Sequence, residues 1–244
     1  MKNSIQSIVL STLFITAISH AQGSANNGIK GNGKVITEKR TTPEYDEIKV
    51  SGFFDVNLVS GKEGAITIEG EENLLPYIKI EVDGTVLKIH IENNKNLRTS
   101  NGKDIVITVP FETISAISLS GSGDVKTQNT IVADKFSAKL SGSGDLSLAV
   151  KATTFESNLS GSGDIIYSGS SDSFKSTLSG SGDIDADDLI TKETDATISG
   201  SGDMKVFCSE SLKARVSGSG DIKYKGNPKT KDTKVSGSGE ISKA

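Results

Sequence analysis

The sequence of 244 residues has no tryptophan, one cysteine, four prolines and two histidines, and aromatic side chains make up only 5% of it. A single cysteine excludes a disulfide framework. Two histidines and one cysteine do not make up the usual ligand set of a zinc site. The scarcity of large side chains argues for many thin layers rather than one thick hydrophobic core. The formal net charge of -4 gives no support to nucleic-acid binding, which needs a basic patch.

Long apolar runs are also scarce, and the one that stands out lies at the N terminus. Lys2 precedes an apolar stretch from Ile8 to Ile18, and the small residues Ser19 and Ala21 follow it. This pattern predicts a secretory signal peptide over residues 1–21. No cysteine follows the run to carry a lipid, and no later stretch is apolar and long enough to be a transmembrane segment. We expect an exported protein in the periplasm, at the outer-membrane surface or outside the cell.

Glycine, in contrast, is abundant, with 26 residues, and many of them belong to a repeated pentad, SGSGD. Six copies and a final SGSGE begin at Ser120, Ser141, Ser160, Ser179, Ser199, Ser217 and Ser236. Repetition at a period of about 20 residues predicts a solenoid, in which each coil buries its face by stacking on its neighbours. In FSAKLSGSGDLSL, residues 136–148, every second residue is apolar or glycine and the others are polar, which is typical of strands.

We therefore predict an all-β fold, a parallel β-helix of about ten coils with about 19–20 residues per coil. The pentad is interpreted as the middle of a strand, with both glycines inward and the serines and aspartate outward. Two roles of the inward glycines stay open: they let the opposite wall approach the backbone closely, or they ease a bend at a corner of the coil. Cys208, in step with Met204 and Val206, is expected to be buried and unreactive.

The predicted domain organisation is a signal peptide, a flexible segment over residues 22–34 and one β-helix domain over residues 35–244. Within that domain, residues 35–110 form less regular coils and residues 111–244 form the pentad coils. Phe54 stands where the second glycine of a pentad would be, and this predicts that its coil closes one end of the stack. Asp83 and Gly84 predict a hairpin or turn.

Three stretches resemble a known family, namely EYDEIKVSGFFDVNL, EENLLPYIKIEVDGTVLKIHI and ITVPFETISAISLSGSGDV. Together with the pentads they are similar to the family named putative auto-transporter adhesin, head GIN domain, which is common in secreted proteins of Bacteroidetes. The resemblance covers about residues 40 to 240. It implies a right-handed parallel β-helix at the cell surface or in the periplasm, and it carries over no catalytic or binding residue.

No catalytic residues are predicted, and we expect a protein that is not an enzyme. His90 is the only histidine after the predicted signal peptide, and it alternates with Ile89 and Ile91 so that it points outward. No motif places a serine or cysteine beside a base. Because two carboxylates can suffice to cleave sugars, a periplasmic polysaccharide-acting enzyme stays open as the alternative function.

The outward Ser-x-Ser-x-Asp ladder is the candidate ligand face of an adhesin-like or structural envelope module. Its proposed members are Ser162, Asp164, Ser181, Asp183 and Asp185. An excess of oxygen ligands at Asp164, Asp183 and Asp185 would suit calcium. Two alternatives stay open: each aspartate accepts hydrogen bonds from turn N–H groups and water, or the face is solvated and has no partner. Lys126, Lys205 and Lys223, two residues after their aspartates, are expected to offset the repulsion within the column.

The expected partner is a polysaccharide or an envelope protein. A homo-oligomer formed edge to edge through the last coil is a further interpretation. The basic residues near that end either guard its edge or form a solvated tail; they are Lys229, Lys231, Lys234 and Lys243.

Overall fold

The computed structural model of the chain describes residues 28–244. These residues form twenty β-strands and one 3-10 helix, Leu75–Tyr77. The strands are β1 (Ile29–Lys30), β2 (Val35–Thr41), β3 (Glu47–Gly52), β4 (Asp55–Ser60), β5 (Ala65–Glu71), β6 (Ile78–Asp83), β7 (Val86–Ile91), β8 (Leu97–Arg98), β9 (Val106–Phe111), β10 (Ala116–Gly121), β11 (Asp124–Thr127), β12 (Ile131–Gly142), β13 (Asp145–Gly161), β14 (Ile165–Gly180), β15 (Ile184–Gly200), β16 (Met204–Phe207), β17 (Ser211–Gly218), β18 (Ile222–Lys225), β19 (Thr230–Gly237) and β20 (Ile241–Lys243). The predicted signal peptide and residues 22–27 lie outside the described residues.

Most strands stack in parallel to form a solenoid of about seven turns with three faces. The first sheet contains β7, β3, β10, the C-terminal parts of β12 to β15, then β17 and β19. The second sheet contains β9, β4, β11, the N-terminal parts of β13 to β15, then β16, β18 and β20. The third sheet contains the start of β12 and the middle of β13 to β15.

The alternation of apolar and polar residues explains why each strand turns one side to the core. Phe136, Phe155 and Phe174 are in register on three successive coils, with ring centroids 5.4 and 5.2 Å apart. Such stacked aromatics bury a large apolar area in a narrow interior. Cys208 is buried as predicted, and its thiol donates to the Lys192 carbonyl at 3.4 Å.

The interpretation of the pentad as the middle of a strand is wrong, because the pentad forms a corner between the first and second sheets. β13, for example, ends at Gly161, and the next strand begins only at Ile165. Gly161 has φ +141°, which side-chain-bearing residues rarely adopt, and it is half-buried. Gly163 is buried, and a Cβ there would lie 1.9 Å from the Gly144 carbonyl oxygen. The first glycine therefore turns the chain at a corner, and both glycines let the coils stack closely, so both roles left open for them are present.

The N-terminal strands do not follow one another through the stack as the sequence predicted. β3 lies between β7 and β10, and β4 lies between β9 and β11, although β7 and β9 come later in the chain. The coil that contains Phe54 is therefore internal, and the prediction that it closes the stack is wrong. The Phe54 ring fills the space over Gly52, where a Cβ would lie 2.7 Å from Phe54 Cε2.

Three strand pairings at this end are antiparallel, and this lowers the number of turns from the expected ten. β2 pairs with β5, β5 pairs with β9, and β6 pairs with β7. The β6–β7 connection is the hairpin that Asp83 and Gly84 predict, with Gly84 at φ +64°. Strands that pair antiparallel fold back on their neighbours and add no coil.

A buried carboxylate, Glu71, ties residues 28–34 to this end of the solenoid. Its oxygens accept hydrogen bonds from Gly33 N–H at 2.5 Å, Ser100 N–H at 2.8 Å and Ser100 Oγ–H at 2.7 Å. Burial by itself would raise the pKa of the Glu71 carboxyl, but these hydrogen bonds outweigh it and the pKa lies below its ordinary value. The nearby β1 pairs in parallel with β8.

Candidate functional site

The candidate ligand residues lie at the corner made by the pentads and at the start of the second sheet. Ser162 and Ser181 are exposed at the corner itself. Asp164 and Asp183 are exposed where the chain enters the second sheet, and Asp185 is half-buried two residues further on. The outward direction predicted for the serines and aspartates is thus confirmed, although the ladder bends across a corner instead of lying on one flat face.

The aspartates form a continuous hydrogen-bonded ladder along the solenoid. Asp183 N–H donates to Asp164 Oδ1 at 2.9 Å, and Asp203 N–H donates to Asp183 Oδ1 at 2.8 Å. The same bond joins Asp164 to Asp145, Asp221 to Asp203 and Glu240 to Asp221. The first step differs, since Asp145 N–H donates to the Gly123 carbonyl at 3.3 Å. One alternative was that each aspartate accepts a hydrogen bond from a turn N–H group. This is what the structure has for one carboxylate oxygen of every aspartate of the ladder from Asp145 to Asp221.

This ladder explains how like charges can be stacked one per coil. Unit charges about 5 Å apart repel by up to about 1 kcal/mol in water. A hydrogen bond from a backbone N–H to a carboxylate is charge-assisted and stabilises the ionised form. Each bond in the ladder uses Oδ1, so Oδ2 of Asp164 and Asp183 is held in a defined direction by its own carboxylate group.

The three lysines that we expected to offset the repulsion within the aspartate column differ in their ion pairs. Lys126 Nζ lies 3.3 Å from Asp124 Oδ2, as predicted. Lys205 pairs with Asp185 at 2.9 Å instead of with Asp203, because the parallel register sets Asp185 directly opposite Lys205. The hydrogen bond and the negative charge of Asp185 raise the pKa of Lys205. Lys223 makes no ion pair within residues 28–244.

A shallow depression brings several of the predicted residues together. It is lined by carboxylates of three successive coils, by the Asp185–Lys205 pair and by Ile166, and its volume is about 250 Å³. The lining carboxylates on the ladder are Asp164, Asp183 and Asp203. Ile166 is 56% exposed and provides an apolar surface among these carboxylates.

Ile166 is the residue that sequence reasoning missed at this site. In GDIIY, Ile165 and Tyr167 take the inward phase, so Ile166 must share the outward phase with Asp164. The alternation was therefore the signal that could have found it. The register sets Ile166 between Ser147 on one neighbouring strand and Asp185 on the other.

The calcium site at Asp164, Asp183 and Asp185 stays a prediction. Across residues 28–244 no group of three or more histidine, cysteine, aspartate or glutamate side chains is arranged to hold a metal ion. The Lys205 ammonium occupies the cationic position beside Asp185, and Oδ1 of Asp164 and Asp183 is engaged with backbone N–H groups.

His90 lies at the other end of the first sheet and is not part of this site. It is half-buried on β7, and its Nε2 is 3.1 Å from Glu81 Oε1.

In the described part of the chain no helix is long and apolar enough to span a membrane.

Comparisons with known proteins agree with this architecture. A family model described as putative auto-transporter adhesin, head GIN domain, matches residues 44–228. The crystal structure of a putative adhesin from Bacteroides fragilis is 26% identical, superposes with a TM-score of 0.82, and covers 89% of this chain and 100% of its own. A putative lipid binding protein from Parabacteroides distasonis is 27% identical, with a TM-score of 0.75 and coverage of 88% and 99%.

A second protein from Parabacteroides distasonis, described as a putative adhesin, is 24% identical, with a TM-score of 0.71 and coverage of 89% and 100%. This likeness concerns the fold alone. A search among curated proteins finds no match.

Proposed function

Because the chain belongs to the family described as putative auto-transporter adhesin, head GIN domain, we propose that it is an exported, non-catalytic binding module of the cell envelope. Its ligand face is the depression at the pentad corner. The residues that we assign to it are Ser162, Asp164, Ile166, Ser181, Asp183 and Asp185. The proposed ligand is a polyhydroxylated molecule, a glycan, and the predicted signal peptide over residues 1–21 accounts for export.

The observation that carries this proposal is the set of oriented carboxylates around an exposed isoleucine. The ladder bonds from Asp183 N–H to Asp164 Oδ1 and from Asp203 N–H to Asp183 Oδ1 hold both carboxylates in place. Their Oδ2 atoms can then accept hydrogen bonds from sugar hydroxyls without the cost of ordering two side chains. Ile166 offers an apolar surface for the C–H face of a sugar ring, and the exposed Ser162 and Ser181 add hydroxyls two residues before Asp164 and Asp183.

The alternative, a polysaccharide-acting enzyme, needs one carboxyl group that donates a proton and a second that acts as base or nucleophile. In the ladder, Asp164 and Asp183 make the same hydrogen bond, since each accepts the N–H of the next coil through Oδ1. A hydrogen-bonding pattern that two carboxyls share does not divide them into an acid and a base. This supports the proposal that the ligand is bound and left intact.

A glycan array incubated with residues 22–244 tests the proposal, with calcium in one arm and a chelator in the other. The decisive variant is Asp183→Asn, which keeps an oxygen acceptor for Asp203 N–H but replaces the free carboxylate oxygen. Its matched control is Asp221→Asn, which makes the same change on the ladder outside the depression.

We expect glycan binding by the wild type and by Asp221→Asn, and loss of binding by Asp183→Asn with an unchanged melting temperature. Binding that needs calcium would support the metal prediction as well. An array with no bound glycan in either arm, or equal binding by both variants, would contradict the proposed site. Shortened glycans recovered after incubation would favour the enzyme.

A further inference from the structure

The outer surface of the first sheet has a charge pattern that the proposed function does not use. Its central column of side chains, in register from strand to strand, contains five basic residues and no acidic one; in order these are Lys88, Lys49, Ser118, Lys139, Asn158, Thr177, Thr197, Arg215 and Lys234. We call this set the base column. Beside it runs a column of eight serines, namely Ser51, Ser120, Ser141, Ser160, Ser179, Ser199, Ser217 and Ser236.

The acidic residues of the first sheet lie in a third column, and each has a basic neighbour. Lys213 Nζ lies 2.8 Å from Asp195 Oδ2, and Arg215 contacts Asp232. Glu156 and Glu47 have lysine partners at longer distances, 3.9 and 3.7 Å. The acids of this surface are thus matched locally, and three members of the base column already have acidic partners. Lys49 pairs with Glu47, Arg215 contacts Asp232, and Lys88 pairs with Asp83 of β6 at 2.6 Å. Only Lys139 and Lys234 of this column have no acidic partner within residues 28–244.

The second sheet carries the opposite charge. Its ladder stacks six aspartates and Glu240 at the corner, and only the corner separates it from the first sheet. The overall net charge of -4 therefore hides a division between an acidic and a basic surface. A polyanion is repelled by one of these surfaces and attracted by the other.

The middle of the base column is uncharged and can form hydrogen bonds. Asn158, Thr177 and Thr197 follow one another on β13, β14 and β15, and Ser160, Ser179 and Ser199 lie beside them. Lys139 lies on one side of this patch, and Arg215 and Lys234 lie on the other. At about 4.8 Å per strand, the distance from Lys139 to Arg215 is about 19 Å.

From this arrangement we infer that the first sheet binds a linear anionic polysaccharide laid along the solenoid axis across the strands. The carboxylate or sulfate groups of the polymer pair first with Lys139 and Lys234, the two bases of the column that have no acidic partner within residues 28–244. The sugar hydroxyls bond the side chains of Asn158, Thr177 and Thr197 and the serine column. The inference goes beyond the proposed function because it uses a different surface and a ligand of defined charge.

The composition of the surface favours a polysaccharide over a nucleic acid. Single-stranded nucleic acids are held by aromatic side chains that stack on the bases. The three outward columns of the first sheet contain no aromatic residue apart from the imidazole of His90, beyond one end of the serine column. A repeating polymer of hydroxyls and anions, in contrast, finds a hydroxyl or amide on every strand of the central patch.

The test measures binding of residues 22–244 to polygalacturonate, to heparin and to duplex DNA, with dextran as the neutral polymer. Lys139→Gln/Lys234→Gln removes two exposed bases of the column. Lys62→Gln/Lys151→Gln is the matched control, since it removes the same charge from exposed positions outside the first sheet. Thr177→Val tests the hydroxyl patch without changing charge.

We expect wild-type binding to polygalacturonate or heparin, and none to dextran, that weakens as NaCl is raised from about 50 to about 300 mM. The first double variant should bind about tenfold more weakly and the control double variant as tightly as wild type. Tighter binding of polygalacturonate would assign carboxylate groups as the anion, and tighter binding of heparin would assign sulfate.

Four results would overturn the inference. These are no binding of either anionic polymer, equal loss in both double variants, dextran binding as tight as that of the anionic polymers, and duplex DNA binding as tight as that of the preferred polysaccharide. Binding of an anionic polysaccharide together with a glycan array on which nothing binds would reject the ligand face at the pentad corner and support the binding surface on the first sheet. Binding on the glycan array without binding of either anionic polysaccharide would support the pentad corner and reject the first sheet.

Discussion

At the scale of single residues, two buried serines on adjacent coils differ in their hydrogen bonds. Ser157 and Ser176 are in register on β13 and β14, in a column whose neighbours are alanines. Ser157 Oγ is 2.9 Å from the hydroxyl of buried Tyr167, whereas Ser176 Oγ has no partner in the described structure. Burial raises the pKa of Tyr167, so this hydroxyl stays protonated and neutral.

Replacing each serine by alanine should therefore have opposite effects. Ser157→Ala leaves the Tyr167 hydroxyl without its partner and should cost about 1–3 kcal/mol of unfolding free energy. Ser176→Ala removes a polar atom that is buried without a partner, and should leave stability unchanged or raise it. Urea unfolding of the two variants beside the wild type provides the measurement. Equal destabilisation by both substitutions would show that the Tyr167 bond has no special weight.

At the scale of structural elements, the pentad corner limits how closely two coils can approach. The Gly142 carbonyl accepts hydrogen bonds from both Ser162 N–H and Gly163 N–H, at 2.9 and 3.2 Å. The second glycine of this coil lies directly on the second glycine of the coil before it, since a Cβ on Gly163 would lie 1.9 Å from the Gly144 carbonyl oxygen. The corner is therefore a backbone-to-backbone contact, and no side chain fits within it.

Gly163→Ala should disrupt that contact severely. Its Cβ would lie 1.9 Å from the Gly144 carbonyl oxygen, so the coils would have to separate. We expect a loss of about 4 kcal/mol or more. Gly84→Ala is the control, since no atom lies within 4 Å of its Cβ and the cost is only that of φ +64°, about 1–2 kcal/mol. Thermal unfolding followed by circular dichroism compares the two, and similar melting temperatures would refute the role of close stacking.

At the scale of the whole molecule, the last coil is where the parallel stack stops within the described residues. β19 pairs with β17 and β20 pairs with β18, and neither has a strand on its other side. Lys231 takes the inward position above Leu212, and its ammonium lies 5.8 Å from the centre of the Tyr224 ring. A charge in an inward position hinders the addition of another strand.

Lys231→Leu should consequently promote association between copies of the protein. The leucine would continue the apolar column above Leu212 and leave an apolar end on the solenoid. Sedimentation velocity over a range of concentrations should show a size that grows with concentration for this variant. Lys229→Leu changes an exposed lysine outside the paired strands and should stay monomeric if the wild type does. If the two variants sedimented alike, the result would show that Lys231 does not prevent association through the last coil.

Much of the fold could be predicted from local pattern. The pentad spacing and the alternation indicated the solenoid and the burial of residues such as Phe155, Leu159 and Cys208. The position of β3 between β7 and β10 could not be predicted in this way, since β3 and β10 pair residues 69 positions apart, Glu47 with Ala116. At the candidate site, the outward phase of Asp164 and Asp183 was predictable, but the pairing of Asp185 with Lys205 depends on the register between coils.

The sequence by itself determined the period of the solenoid and the side of each strand that faces the core, because a strand with one buried face has a side-chain period of two residues. Only the tertiary structure decided what the polar side does. Stacking placed the N–H of one aspartate on the carboxylate of the coil before it, gathered Ile166, Asp185 and Lys205 beside that ladder, and set a corner between the base column and the ladder. These contacts join residues about one coil apart in the chain, and their partners are set by loop lengths and register that no local pattern records.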